Sequence, residues 1–169
     1  MKAEVPYKEA KEIADEVLRL LMPHVYRAEI AGSIRREKPI VGDIEIVAIA
    51  KPYEIGLFES GIATVVNQWE KVKGELEYGK TKYTQRILPE GIKLDLFFAT
   101  PENWGNILAI RTGSADYSHK VLATTWVQKG YRSENGLLIK NGITFEVREE
   151  RDLFERLGLE YVEPKDRNV

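Results

Sequence analysis

The chain has 169 residues, of which 43% are hydrophobic and 31% charged, with a net charge of −2 and no cysteine. This size fits one compact domain or two small lobes. Disulfides and thiolate metal sites are excluded, and no apolar run approaches the roughly 20 residues of a membrane-spanning helix. A cytoplasmic protein is therefore expected, and its net charge provides no global attraction for polyanions.

The first expected element is a helix. Apolar residues recur at helical spacing from Tyr7 to Met22, between Pro6 and Pro23. Two strands follow, over Tyr26 to Ala31 and Ile44 to Ala50.

The region up to residue 100 continues the α+β pattern. A helix is expected from Glu54 to Glu70, with buried candidates Leu57, Phe58, Ile62, Val65, Val66 and Trp69. Three strand-like stretches follow it, over Lys71 to Tyr78, Lys82 to Leu88 and Ile92 to Ala99. This order predicts an α+β fold on a mixed sheet.

The pattern changes near Thr100, which suggests two regions, 1–100 and 101–169. The elements expected in the second region are helices over Pro101 to Arg111 and Asp116 to Lys129, strands over Gly136 to Lys140 and Ile143 to Val147, and a helix over Arg151 to Leu157. Asn141-Gly142 predicts a type I′ hairpin between the strands. Gly158 is a typical helix stop.

Three acidic residues interrupt the predicted strands. Asp43 and Glu45 flank Ile44, and because strand side chains alternate, both acids point to one face. Asp95 lies within an apolar strand, Lys93 to Phe97. Like charges repel unless a cation lies between them, and Mg²⁺ prefers carboxylate oxygens. The acids form a metal site if these strands are neighbours; otherwise Asp43 and Glu45 are ordinary surface residues.

A glycine-serine turn precedes the acids. Gly32-Ser33 follows a predicted strand, Arg35-Arg36 come next, and Gly42 lies directly before Asp43. Glycine lets backbone amides approach a phosphate, serine adds a hydroxyl donor, and arginine neutralises charge. This combination is more specific than the Asp-x-Glu pattern alone.

Four motifs follow one another along nearly the whole chain: GSIRREKPIVGDIE, KLDLFF, RTGSADYSHK and LGLEYVEPKDR. In this order they resemble the family X DNA polymerases, the polymerase beta group. The resemblance implies a nucleotidyltransferase-type palm with a mixed sheet, over residues 1–100, and a small thumb-like α/β lobe, over 101–169. It also implies two-metal nucleotidyl transfer from dNTPs to a primer 3′-hydroxyl, with Mg²⁺ as the metal and Mn²⁺ as a substitute.

The resemblance further assigns roles to individual residues. The catalytic and metal-binding triad comprises Asp43, Glu45 and Asp95. The triphosphate-binding segment comprises Gly32, Ser33, Arg36 and Gly42. Gly113 belongs to the motif that lines the sugar and base of the nucleotide, where Arg111 either stacks on a base or caps its helix. The expected DNA contacts are Thr81, Lys82 and Lys93.

Some positions depart from the family pattern. The second acid is Glu45 where these polymerases usually carry Asp, which implies an altered rate. Ile110-Arg111 replace two aromatics of polymerase beta, which implies poor discrimination against ribonucleotides. Leu122 replaces an arginine at the minor groove, which implies low fidelity. The sequence begins near the expected start of the palm, so no lyase activity is expected.

The expected partners are primer-template or gapped DNA, a dNTP and an accessory DNA-binding protein. The chain is expected to be monomeric and not to bind a membrane. Its expected role is in DNA repair or short gap filling. Basic residues in the predicted hairpins are candidate phosphate contacts or simply a solvated face: Lys71, Lys73, Lys80, Lys82 and Arg86. Trp69, Trp104 and Trp126 are expected in the core. The rival functions are a nucleotidyltransferase with an RNA, protein or small-molecule acceptor, and a non-catalytic DNA-binding remnant of a polymerase.

Overall fold

The computed structural model describes residues 3–52 and 61–168. The chain divides into two compact units, Met1–Phe98 and Ala99–Val169, next to the position where the sequence pattern changes. Both units combine helices with strands, which confirms the α+β class. Within the described ranges, no helix is both long and apolar enough to cross a membrane.

The first unit is built on a five-stranded mixed sheet. Its elements in chain order are β1 (Val5–Pro6), α1 (Tyr7–Leu21), β2 (Val25–Ile30), α2 (Gly32–Arg35), β3 (Ile40–Val41), β4 (Asp43–Ala50), α3 (Ile62–Val66), β5 (Glu70–Lys73), β6 (Tyr83–Ile87) and β7 (Lys93–Phe98). The sheet order is β2-β4-β7-β6-β5, in which β4 and β7 are parallel and the other neighbours antiparallel. Strands β1 and β3 form a separate antiparallel pair.

Helix α1 covers the sheet with the apolar face that its sequence predicts. Its buried positions are Ala10, Ile13, Ala14, Val17 and Leu21. The helix ends at Leu21, one residue before the short 3₁₀ segment Met22–His24 that contains Pro23. Proline has no N–H to continue the helical ladder, so this ending agrees with the prediction.

Successive side chains of the central strands point to opposite faces of the sheet. Ile44 and Ile46 of β4 and Leu94 and Leu96 of β7 are fully buried, in one core with α1 and α3. Burying each such side chain contributes about 1.5–3 kcal/mol. Because a one-residue slip turns every side chain to the other face, this core specifies the register of both strands. The odd-numbered positions of β4 and β7 therefore point away from the helices.

The region around α3 differs from the expectation. The helix predicted over Glu54 to Glu70 is helical only over Ile62–Val66 within the described residues, and Glu70 instead begins β5. Residues 53–60, including Leu57 and Phe58, lie outside the described residues. Apolar periodicity alone does not separate a short helix followed by a turn from one long helix. Residues Ile62, Val66 and Trp69 are buried as expected.

Arg86 corrects another expectation. It was a candidate phosphate contact, but its side chain is only 3% exposed. The guanidinium donates to the carbonyl oxygens of Val66 and Trp69 and to the hydroxyl of Thr84. Its even-numbered position on β6 turns it toward the helices, so Arg86 ties the end of α3 to the sheet.

The second unit combines helices with a three-stranded antiparallel sheet of order β10-β9-β8. Its elements are α4 (Trp104–Thr112), a π-helical segment (Tyr117–Ala123), α5 (Thr124–Gln128), β8 (Arg132–Glu134), β9 (Leu137–Lys140), β10 (Ile143–Phe145), α6 (Glu150–Leu157) and a 3₁₀ turn (Pro164–Asp166). Helix α6 ends at Gly158 with φ of 68°, as predicted. Trp104 and Trp126 are buried, also as predicted.

Two Asn-Gly turns shape this small sheet. Asn141 and Gly142 have φ of 53° and 74°, which confirms the expected turn between β9 and β10. Asn135 and Gly136 have φ of 52° and 74° and connect β8 to β9 in the same way. Strand β8 was not predicted from the sequence, because all of its residues are exposed and carry no apolar alternation. The second Asn-Gly dipeptide was the available signal.

The helix predicted over Asp116 to Lys129 is two segments of different pitch. A π-helix covers Tyr117–Ala123 before the α-helix begins at Thr124. Buried Tyr117 and Leu122 are separated by the i→i+5 interval of a π turn, which places both side chains in the core.

A buried ion pair organises the core of the second unit. Arg167 is fully buried and donates through Nη1 to Oε2 of Glu150, at the start of α6. Its Nε donates to the carbonyl oxygen of Val162 at 2.8 Å. The guanidinium also lies over the rings of Phe154 and Tyr161, 5.1 and 5.3 Å from their centroids. One side chain thus connects α6 to the C-terminal segment.

We expect Arg167→Met to reduce the free energy of unfolding by about 3–5 kcal/mol, because it leaves the Glu150 carboxylate buried without its partner. Urea unfolding of the full chain measures this loss. The matched control is Arg148→Met, since Arg148 pairs with Glu146 and Glu102 on the exposed surface and should change stability by less than about 1 kcal/mol. Equal effects of the two substitutions would show that the buried pair is not structural.

Candidate active site

The register of β4 and β7 brings two of the predicted acids side by side. Glu45 is paired with Asp95 in the parallel ladder, and Asp43 is paired with Lys93. Neighbours in register point to the same face of a sheet, and residues 43 and 45 share that face by alternation. All three predicted carboxylates therefore lie on the sheet face opposite α1 and α3.

Asp95 is the most buried of the three acids, with 8% of its surface exposed. Two neutral donors hold its carboxylate: the Tyr83 hydroxyl at 2.5 Å and the Gln85 side-chain amide at 2.7 Å. Both hydrogen bonds end on the same oxygen, Oδ1. Hydrogen bonds to an ionised carboxylate offset part of the cost of burying its charge.

The glycine-serine turn lies directly against the second acid. The Ala31 N–H donates to the Glu45 carbonyl oxygen at 2.8 Å, so the end of β2 is bonded to β4 beside the acid. Gly32 has φ of 62°, and a β-carbon built on it would lie 1.8 Å from Oε2 of Glu45. Only glycine leaves room there for the carboxylate and accepts this backbone conformation readily.

The remaining phosphate-segment residues surround this contact. Arg36 follows α2, and its N–H donates to the Gly32 carbonyl oxygen at 3.1 Å. Burial lowers the pKa of the Arg36 guanidinium, while the nearby Glu45 carboxylate opposes that shift. Ser33 is half-buried in α2, and Gly42 joins β3 to β4 directly before Asp43. The turn and Arg36 thus lie next to Glu45, on the strand that also carries Asp43.

The donor chemistry of this face fits Mg²⁺, which prefers carboxylate oxygens. Within residues 3–52 and 61–168, however, no three His, Asp or Glu side chains converge closely enough to hold a metal ion as they stand. Metal binding by Asp43, Glu45 and Asp95 stays a prediction.

The expected DNA contacts have different environments. Lys93 is exposed at the start of β7, paired in register with Asp43. Lys82 is exposed immediately before β6. The Thr81 hydroxyl is engaged by its own loop, where it donates to the Glu75 carbonyl oxygen and accepts from the Glu77 N–H, both at 2.6 Å. Thr81 shapes this loop, and its contact with DNA stays a prediction.

The neighbouring basic residues take part in local contacts. Lys71 and Lys80 form ion pairs with Glu75 and Glu77 respectively. Lys73 lies with its Nζ 5.5 Å from the centroid of the Tyr83 ring. The two ion pairs are exposed, so each contributes little to stability.

Tyr83 and Gln85 were not identified as site residues from the sequence. Both occupy odd positions on β6, and Gln85 is paired with Asp95 in the antiparallel ladder. Their alternation along the strand was a usable signal, but it required knowing that β6 lies beside β7.

The residues predicted to line the nucleotide belong to the second unit. Arg111 is exposed in the last turn of α4, a position that also suits a cation at a helix C-terminus, so both of its suggested roles remain open. Gly113 caps this helix, and a β-carbon there would lie 2.7 Å from the Tyr117 ring. The Ser114 N–H donates to the Arg167 carbonyl oxygen at 3.1 Å. This hydrogen bond links Thr112-Gly113-Ser114 (the T-G-S motif) to LGLEYVEPKDR (the C-terminal motif).

Residues 107–168 match the family model described as DNA polymerase beta thumb. A comparison with curated proteins gave no match. The matched region runs from the middle of α4 through the C-terminal 3₁₀ turn and includes both the T-G-S segment and the buried Arg167. A thumb of this kind relates the chain to DNA polymerases and to DNA binding. The match supports the resemblance of this chain to the family X DNA polymerases, and it covers the thumb domain.

Proposed function

We propose that this chain is a DNA-directed DNA polymerase that adds dNTPs to a primer 3′-hydroxyl, in DNA repair or short gap filling. The observation that carries the proposal is the parallel register of β4 and β7. It places Glu45 beside Asp95 while Gly32 of the phosphate-type turn packs against Glu45. Carboxylates next to such a turn suit the transfer of a nucleotidyl group.

In this proposal some residues bind the nucleotide and others take part in the transfer reaction. Gly32, Ser33, Arg36 and Gly42 bind the triphosphate, for which the guanidinium supplies a fork of donors. Asp43, Glu45 and Asp95 are the residues that would hold two Mg²⁺ ions, which when bound neutralise phosphate charge and favour a nucleophilic hydroxyl. Asp95 accepts the proton of the attacking hydroxyl, because its carboxylate is held in place on the buried strand β7. The primer 3′-oxygen forms a bond to the α-phosphorus, in line with the α–β phosphoanhydride bond, which breaks as pyrophosphate leaves.

The thumb match is the reason for choosing DNA as the acceptor. The exposed Lys82 and Lys93 belong to the unit that carries the acids, where they would contact the DNA backbone near the primer end. Leu122 is fully buried in the core of the second unit, so this position provides no minor-groove contact. We therefore propose low fidelity, together with weak and salt-dependent DNA binding at a net charge of −2.

We expect Asp95→Asn to lower the rate of primer extension by roughly 10²–10⁴-fold, because the variant has no carboxylate to accept the proton. Primer extension with Mg²⁺ and dNTPs on templated, gapped and single-stranded DNA measures the rate. The control is Glu90→Gln, which removes an exposed carboxylate from the β6–β7 turn and should leave the rate unchanged.

Each alternative gives a different result in these assays. Template-independent transfer, or transfer to RNA, a protein or a small molecule, would replace the DNA polymerase with another nucleotidyltransferase. DNA binding without any transfer would indicate a non-catalytic remnant. Wild-type extension by Asp95→Asn would contradict the assigned site.

The close contact between Gly32 and the Glu45 carboxylate leaves no space for a larger side chain at position 32. Gly32→Ala should cost about 1–2 kcal/mol of stability for its positive φ, and the end of the Glu45 side chain then moves to make room. We expect the rate of primer extension to fall about 100-fold, since a displacement of about 1 Å is enough to disrupt the alignment of reacting groups.

The matched control for Gly32→Ala is Gly91→Ala. Gly91 also has a positive φ, of 93°, but among the described residues no heavy atom beyond those of Gly91 and its two chain neighbours lies within 4 Å of the added β-carbon. Both variants should therefore lose similar stability in urea unfolding, while only Gly32→Ala loses activity. If the two variants extend primers equally well, the turn does not act on Glu45.

A further inference from the structure

Three side chains form a row across the central strands of the first unit. Glu45 of β4, Asp95 of β7 and Gln85 of β6 are paired in register, so they lie side by side on one face. Asp95 therefore has a like charge on one side and a neutral amide on the other. The Gln85 amide donates to Oδ1 of Asp95 at 2.7 Å.

Tyr83 adds a second donor to the same oxygen. Its hydroxyl lies 2.5 Å from Oδ1 of Asp95. The ring is stacked on Phe97, with 4.9 Å between centroids and 25° between planes, and Phe97 is itself only 8% exposed. This packing fixes the ring, so the hydroxyl reaches Asp95 from a defined position.

Two donors on one oxygen constrain the orientation of the carboxylate. An ionised carboxylate offers about four acceptor positions, and Oδ2 takes part in neither of these hydrogen bonds. Both donors are neutral, so they fix the side chain and leave its negative charge in place. An arginine at the same distance would neutralise that charge. The charge therefore remains available to a cation or to a proton.

We propose that Tyr83 and Gln85 are positioning residues, which hold Asp95 through Oδ1 so that Oδ2 serves the reacting hydroxyl and its cation. This inference rests on the proposed function, since it concerns the carboxylate that accepts the proton there. Hydrogen-bond partners of a metal-binding carboxylate typically change metal affinity or activity about 10–100-fold when they are removed.

Three variants test this role: Tyr83→Phe, Gln85→Met and the double variant. Each removes a donor and keeps most of the side-chain volume, at positions that are only partly buried. We expect kcat for primer extension to fall at least about 10-fold in each single variant and further in the double variant. The KM for dNTP should stay within about twofold, because the triphosphate-binding residues are untouched.

Binding of Mn²⁺ alone, followed by its electron paramagnetic resonance signal, provides a readout that does not depend on activity. We expect about 10-fold weaker binding in Tyr83→Phe and Gln85→Met. The matched control is Thr84→Val, which removes a hydroxyl from the same strand on the opposite face. The Thr84 hydroxyl donates to the carbonyl oxygens of Lys73 and Gly74. This variant should lose stability but keep wild-type kcat and Mn²⁺ affinity per folded molecule.

The outcomes separate this inference from the proposed function. If Asp95→Asn is inactive while the Tyr83 and Gln85 variants keep wild-type kcat and Mn²⁺ affinity, the positioning role alone is wrong. If the wild-type chain transfers no nucleotide, the proposed function is wrong, and Mn²⁺ binding still decides whether the two donors position Asp95. If Asp95→Asn retains full transfer, the role assigned to Asp95 is wrong. A loss of kcat in Thr84→Val as large as in the other variants would attribute the effect to strand stability and overturn the inference.

Discussion

The parallel pairing of β4 with β7 is the constraint on which the first unit depends. The same register that buries Ile44 and Ile46 beside Leu94 and Leu96 also places Glu45 beside Asp95. A slip by one residue would turn the acids into the apolar core and the aliphatic side chains out of it, at a cost of several kcal/mol per exchanged pair. Hydrophobic burial on one face thus overcomes the repulsion between carboxylates on the other.

Polar neighbours make this arrangement of acids tolerable. Gly32 leaves space for the Glu45 carboxylate, and the Arg36 guanidinium lies close enough to interact with its charge. Tyr83 and Gln85 offset the burial of Asp95 with neutral hydrogen bonds. Glu45 and Asp95 are therefore supported by different elements. Glu45 lies against α2 and the residue that follows it, and Asp95 is held by β6. The negative charge that remains on this face is the charge that the proposed divalent cations would neutralise.

The second unit relies on a different interaction, the buried pair of Arg167 and Glu150. The carbonyl oxygen of Arg167 also accepts the Ser114 N–H, so the C-terminal motif and the T-G-S motif are held together. Some of the residues that carry the resemblance to family X polymerases therefore also stabilise the fold of the second unit. The thumb-type family model matches residues 107–168, which include both motifs.

The sequence by itself determined the features that arise from local periodicity and turn chemistry. It predicted the buried face of α1, the shared face of Asp43 and Glu45, the Asn141-Gly142 hairpin and the stop at Gly158, because these depend on residues close together in the chain. Only the tertiary structure decided which strands are neighbours, and hence that Glu45 meets Asp95 and that Tyr83 and Gln85 bind Asp95. It also decided that Arg86 and Arg167 are buried rather than exposed. Each arginine also needs partners distant in sequence, which no local pattern specifies: Val66 and Trp69 for Arg86, and Glu150 for Arg167.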